Sequence, residues 1–363
     1  MVGQRALVTL AFALISVLCS AGCGLIGPPS IRGGRPAYND TIVATNNQQV
    51  LAMIVRMRYG EPAGLLAVSS VTANIQIRAN AGGEFGIGTE SNYKGNLVPL
   101  SAGFAYEENP TISYTPVQGE RYMRQLLAPI PLDLAMLLLH SLRNSPQAVT
   151  LLVRSINGMR NPDFLWSPSM EADPRFARLV ELLAGMARQG RVIWGQEAGS
   201  DSSFALAITG GEGALDPQLA ELFGLLGFDT PEDRGGVITL PVQLGIGKPG
   251  RPAIRLETRS LFDLFQIAAA SVDVPEEHVE SGVAQQLPPP GPVGQSIQIR
   301  RSKGRPDGAI AEVRHHGWWY SIDATDTASK LTFRIVESLI SVRIADTVDH
   351  LKATPVLTVP VSR

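Results

Sequence analysis

The sequence predicts an α+β protein: mixed, largely antiparallel sheets with packed helices, following an N-terminal leader and a Gly/Pro-rich tether. Apolar residues recur at helical spacing in some segments and at every second position in others. The two kinds of segment alternate irregularly, with short hairpin-like gaps between strands. No self-similarity at a solenoid period is present. With 363 residues, 44% of them hydrophobic, the chain can bury a sizeable core.

The chain opens on "MVGQR", with a single positive charge at Arg5, followed by the uncharged apolar run Ala6 to Leu18 and the small residues Ser20-Ala21-Gly22. A basic start, a short apolar run and a small-residue cleavage region are the marks of a secretory signal peptide, expected over residues 1–22. The apolar run is too short for a permanent membrane span. Removing residues 1–22 from 363 leaves 341, and the loss of Arg5 takes the formal charge from −2 to −3. That balance argues against a nucleic-acid partner, whose affinity comes largely from basic excess. The two cysteines are Cys19 and Cys23. Cys19 leaves with the leader, so the mature chain can form no internal disulfide, thiolate metal site or dithiol redox pair. Residues 23–36, "CGLIGPPSIRGGRP", have no apolar period and are expected to form a flexible tether, able to reach roughly 45–50 Å if extended.

The folded body is expected from about residue 37. In "NNQQVLAMIVRMRYGEP", Val50, Met53, Ile54 and Met57 predict a helix capped near Asn46 and stopped by Gly60 and Pro62. "VTANIQIRAN" alternates Val71, Ala73, Ile75 and Ile77 as one half-buried strand. The glycine-rich "AGGEFGIGTESNYKGN" matches no phosphate-cradling loop and is expected to be a hairpin or mobile loop. A strand through Ile112 and Tyr114 and an amphipathic helix to Leu127 follow. "PLDLAMLLLHSL" and "PQAVTLLVRSING" predict two further helices. The apolar stretch Leu126 to Leu142 is interrupted by Pro129, Pro131, Asp133 and His140, which predicts a buried helix rather than a membrane span.

Downstream, helices are expected in "PRFARLVELLAGMARQG", "DPQLAELFGLLGF" and "SLFDLFQIAAASV". Strands are expected in "RVIW", "SFALAI", "GVITLPVQLGIG" and "PAIRLET". The Pro-rich segment 279–295 is the clearest break, a linker or long loop between a main domain (37–278) and a C-terminal β-β-β-α-β lobe (296–363) docked on it.

Two resemblances add to this reading. The small triplet ending on Cys23 resembles the lipobox of bacterial lipoproteins, with Ser20 where a large aliphatic residue is usual. The resemblance implies a diacylglycerol thioether on Cys23, cleavage before it and acylation of the new amine, which anchors the chain stably. Gly24, in place of the aspartate that favours inner-membrane retention, implies an outer-membrane anchor facing the periplasm. Separately, "YNDTIVATNNQQVLAMIVRMRYGEP", "ISYTPVQGERYMRQLLAPIP", "VRSINGMRN" and "HHGWWYSIDATDTASKLTF" resemble a family of uncharacterised bacterial envelope lipoproteins. That family implies an address and no chemistry.

Candidate sites are few. In "RHHGWWYSIDATD", His315 and His316 are expected to point to opposite faces of a strand and so not to share an ion. Asp323 and Asp326 are expected to cap the following helix. Trp318, Trp319 and Tyr320 are candidates for core packing or for an aromatic ligand surface such as a glycan would use. The basic cluster Arg300, Arg301, Lys303 and Arg305 is expected at a hairpin tip, solvated or touching anionic lipid or acidic glycan. Arg154 and Arg160, flanking a helix C-cap at Asn157-Gly158, could grip a carboxylate. His140, His278 and His350 are expected to be structural. No G-x-S-x-G or H-E-x-x-H is present, so no catalytic residue, metal ligand or cofactor is expected. The composite expectation is a membrane-attached envelope protein that binds another envelope protein, a glycan or anionic lipid. The alternative is a periplasmic hydrolase whose site assembles from residues distant in sequence.

Overall fold

The computed structural model describes residues 27–62, 64–72, 75–82, 101–108, 111–117, 119–142, 146–161, 173–196, 203–209, 216–230, 236–247, 249–288, 294–350 and 357–360. The leader and Cys23, the glycine-rich stretch 83–100 and part of the Pro-rich segment lie outside the described residues. The architecture is α+β, with four sheets among the described residues, in which nearly every pairing is antiparallel. No helix among the described residues is long and apolar enough to cross a membrane.

The chain forms two compact units. One runs through Pro62 and adds Ile130–Arg259 and Asp263–Glu337; the other comprises Ala63–Pro129, Ser260–Phe262 and the chain from Ser338. The division therefore falls elsewhere than at the Pro-rich segment: beyond it, the chain to Glu337 belongs to the first unit and the chain from Ser338 to the second.

The first unit begins with helix α1 (Gly27–Arg58). It already covers Gly27 to Pro36, a stretch expected to be irregular, and Asn46 is interior to it rather than a cap. Val50, Leu51, Met53, Ile54 and Val55 are buried on it. Helices α3 (Leu132–Ser141) and α4 (Pro146–Leu152) follow α2 (Glu120–Leu127), which belongs to the other unit. A six-stranded sheet has the order β6-β5-β10-β9-β8-β7. Its strands are β5 (Val153–Ile156), β6 (Met159–Arg160), β7 (Val192–Gln196), β8 (Phe204–Thr209), β9 (Val237–Leu244) and β10 (Ile254–Thr258). Only β9 and β10 run parallel; the other neighbours are antiparallel.

Helices α5 (Pro174–Arg188) and α6 (Pro217–Leu226) start alike. Asp173 and Asp216 each accept the backbone N–H two residues on, with proline at the first helical position. Helix α6 stops at Gly227, which takes the left-handed conformation (φ 83°). Helices α7 (Leu261–Ala270) and α8 (Glu276–Glu280) lead to a three-stranded sheet ordered β11-β13-β12, with β11 (Arg300–Ser302), β12 (Ala309–His315) and β13 (Trp318–Asp323). Helix α9 (Thr327–His350) follows, counted with this unit as far as Glu337.

The second unit holds a sheet β1-β4-β14, made of Leu65–Thr72, Thr111–Val117 and Leu357–Pro360, and the hairpin β2-β3, made of Ile75–Gly82 and Ser101–Glu108. Helix α2 (Glu120–Leu127) belongs to it.

Three local expectations are corrected. Val71 to Ile77 is two strands in different sheets, not one. The second half of "PQAVTLLVRSING" is strand β5, and Asn157-Gly158 is the turn of the β5–β6 hairpin rather than a helix cap. Both residues have positive φ, 48° and 82°, as a two-residue type I′ turn requires. The basic cluster does not sit at a hairpin tip, because β13 lies between β11 and β12.

Candidate functional site

Two local motifs of the first unit build a cluster of ionisable and aromatic side chains. Helix α1 ends in a double hydrogen bond: Gly60 N–H donates to Met57 O at 3.1 Å and Glu61 N–H to Arg56 O at 2.9 Å. This is a Schellman stop with Gly60 at φ 69°. A Cβ on Gly60 would meet only the tip of the Gln285 side chain, at 2.8 Å, which can turn away, so it is the positive φ that calls for glycine there. The stop fixes Tyr59 and Glu61 on either side of that glycine.

The second motif is the β12–β13 hairpin. His315 pairs with Trp318, and His316-Gly317 form the two-residue turn with φ 44° and 81°. This corrects the expectation that the histidines face apart. Alternation holds within a strand, whereas His316 is a turn residue in the left-handed region, where the side chain swings back.

Both imidazoles meet Glu61. His316 Nε2 donates to Oε1 at 2.7 Å, and His315 Nε2 lies 3.1 Å from Oε2. The His315 nitrogen is buried yet lacks a hydrogen bond of good direction, so its contact with the carboxylate is one of proximity. The side chains of Glu61, His315 and His316 are 35%, 17% and 38% exposed, which makes a shallow site open on one side.

Tyr59 organises the rings. It stacks on His316 with centroids 4.7 Å apart at 24°, and meets His315 edge-on at 4.9 Å. Its hydroxyl lies 2.5 Å from the Tyr320 hydroxyl and 2.8 Å from His278 Nδ1 on α8. The hydrogen bond from His316, with the adjacent imidazoles, holds the Glu61 carboxyl below its usual range. Burial pushes His315 down, opposed by Glu61. Burial also pushes the Tyr59 and Tyr320 phenols up, so both stay protonated hydrogen-bonding groups at neutral pH.

The residues expected to form a surface separate. Cross-strand partners share a face, so Arg301, opposite Tyr320, shares the face of Trp318, whereas Trp319 and Arg300 occupy the other. Arg301 and Lys303 lie over the Trp318 ring at 5.4 and 5.3 Å, and Arg305 lies over Trp319 at 5.7 Å. Arg305 also pairs with Glu312 at 2.6 Å, and Arg301 faces Asp273 at 3.5 Å. Arg300 donates to Gln298 at 3.3 Å. Tyr320 is 0% exposed and is a core residue, not part of any surface.

Arg154, His140, Asp323 and Asp326 have structural partners. Arg154 binds Asp263 at 2.6 Å. His140 Nδ1 lies 2.6 Å from Trp194 O. Asp326 accepts from Ser329 N–H at 3.1 Å and caps α9, as expected; Asp323 instead caps the preceding turn through Thr325 N–H at 2.8 Å. Sequence reasoning did not find Tyr59 and Glu61 as members of the site, nor did it link His278 to them. The usable signal was "HHG", whose His-Gly pair fits a type I′ turn; nothing near "RYGEP" points to a partner on a distant strand.

The chain matches no protein-family model, no curated protein and no solved structure.

Proposed function

We propose that this chain is a lipid-anchored cell-envelope protein, held by acyl groups on Cys23, whose folded body binds or scaffolds another envelope component. The observation that carries the reading is the N-terminal order of one basic residue, an apolar run and Ser20-Ala21-Gly22-Cys23. Two or more acyl chains on one residue give durable attachment. Arg301 and Lys303 over Trp318, and on the opposite face of the sheet Arg305 over Trp319, set positive charge beside aromatic rings, a chemistry suited to acidic glycan or anionic lipid.

Replacement C23S tests the anchor. Labelled palmitate incorporation, the mobility shift of the processed form and detergent-phase partitioning should all be lost. Unchanged labelling and partitioning would overturn the proposal. A second reading, a periplasmic hydrolase, draws on the convergence of Glu61 with His315 and His316. It differs from the binding role in requiring turnover.

A further inference from the structure

We infer that Glu61, His315 and His316 form a binding site for one divalent transition-metal ion of the zinc class, with a fourth position open to solvent. The site does not depend on the anchor. One oxygen of Glu61 and one ring nitrogen from each histidine lie within 4.8 Å of one another. Zinc bonds of about 2.0–2.2 Å to nitrogen and oxygen place neighbouring ligands of a tetrahedron about 3.3 Å apart. His315 Nε2 lies 3.1 Å from Glu61 Oε2 and His316 Nε2 lies 2.7 Å from Oε1. Either oxygen already sits close to one imidazole, and a modest shift of the Glu61 side chain separates the donors enough to admit the ion.

The donor types set the ion class. Two imidazoles and one carboxylate suit zinc and its first-row neighbours, whereas magnesium and calcium take oxygen ligands. A hydrogen bond from His316 to Glu61 would account for one histidine alone. It leaves unexplained the second, with its ring centroid 4.4 Å from the first and a buried Nε2 beside the same carboxylate without a directed hydrogen bond. An ion between the three atoms uses both nitrogens.

The ligands are held before any ion arrives. The type I′ turn fixes His316, the Schellman stop fixes Glu61, and Tyr59 packs against both imidazoles. Tyr59 is itself held by Tyr320 and His278, which makes these two residues an outer layer of support.

The test uses the full chain as the cell processes it, purified in detergent, stripped with chelator and titrated with Co(II). The expected result is visible d–d absorption saturating at one ion per chain, displaced by Zn(II) but not by Mg(II) or Ca(II). Zn(II) should raise the melting temperature of the wild type. Glu61→Gln and His316→Asn should each weaken Co(II) binding by at least about tenfold while keeping the metal-free circular dichroism spectrum; asparagine tolerates the backbone at position 316. His140→Gln, away from the cluster, should bind as the wild type does. Absence of saturable absorption, equal competition by Mg(II), or unchanged affinity in both cluster variants would overturn the site.

Discussion

Tyr59 touches all three histidine rings of the cluster, and its hydroxyl bridges His278 and Tyr320. A buried phenol with two oxygen or nitrogen partners within 2.8 Å is well satisfied, and removing it leaves both partners short of one bond. Tyr59→Phe should cost about 2 kcal/mol in denaturant unfolding, and Tyr320→Phe, which breaks one of those bonds, about 1 kcal/mol. The double variant should cost less than the sum, because the two hydroxyls share a bond. The ordering fails if Tyr320→Phe is the more damaging. Asn157 shows a similar economy on the six-stranded sheet. Its side-chain N–H groups donate to Leu226 O and Ala253 O at 3.1 and 3.2 Å while its Oδ1 accepts from Arg255 N–H at 2.8 Å, so a left-handed turn residue also ties three segments together.

Helix α9 shows what its capping aspartate contributes. Asp326 accepts from both the backbone N–H and the hydroxyl of Ser329, at 3.1 and 2.6 Å, and Ser329 Oγ in turn accepts from Gln298 N–H at 2.8 Å. The Ser329 hydroxyl holds the Asp326 carboxyl below its usual range. A depressed carboxyl stabilises the fold fully above its ordinary value and loses that contribution as pH falls through the folded value. Asp326→Ala should therefore destabilise by about 1 kcal/mol at pH 7, and the gap from wild type should narrow in acid, as unfolding curves at neutral and strongly acidic pH would show. This cap was legible from "DATDTASK", as were α5 and α6 from their Asp-Pro starts. The apolar spacing of Val149 to Ile156 was not decisive: Val149, Leu152, Val153 and Ile156 fit a helix face, while β-branched residues and Asn-Gly favour the strand and turn that form. At His315-His316 the period-two rule was sound inside β12 and ended one residue too early to place the second ring.

The first unit is assembled from separated stretches of chain, and its β11–β13 sheet depends on helix α1. Tyr320 and Ile322 are 0% exposed, and Tyr59 of α1 lies against Tyr320. Ile299 also bridges to Val272 ahead of the Pro-rich segment. Residues 296–363 produced alone should consequently lack a cooperative fold. A well-dispersed amide spectrum with a sharp unfolding transition would refute this. The Pro-rich run was a conspicuous chain break in the sequence but not a boundary of packing, because proline density reports local stiffness and says nothing of which distant helix covers a strand. The hydrogen bond from His316 to Glu61 spans 255 positions. During synthesis, Glu61 therefore waits for a further 255 residues to be made before both imidazole partners exist. Any cargo that needs all three side chains is acquired only once position 316 has been added, from whichever compartment then surrounds the chain.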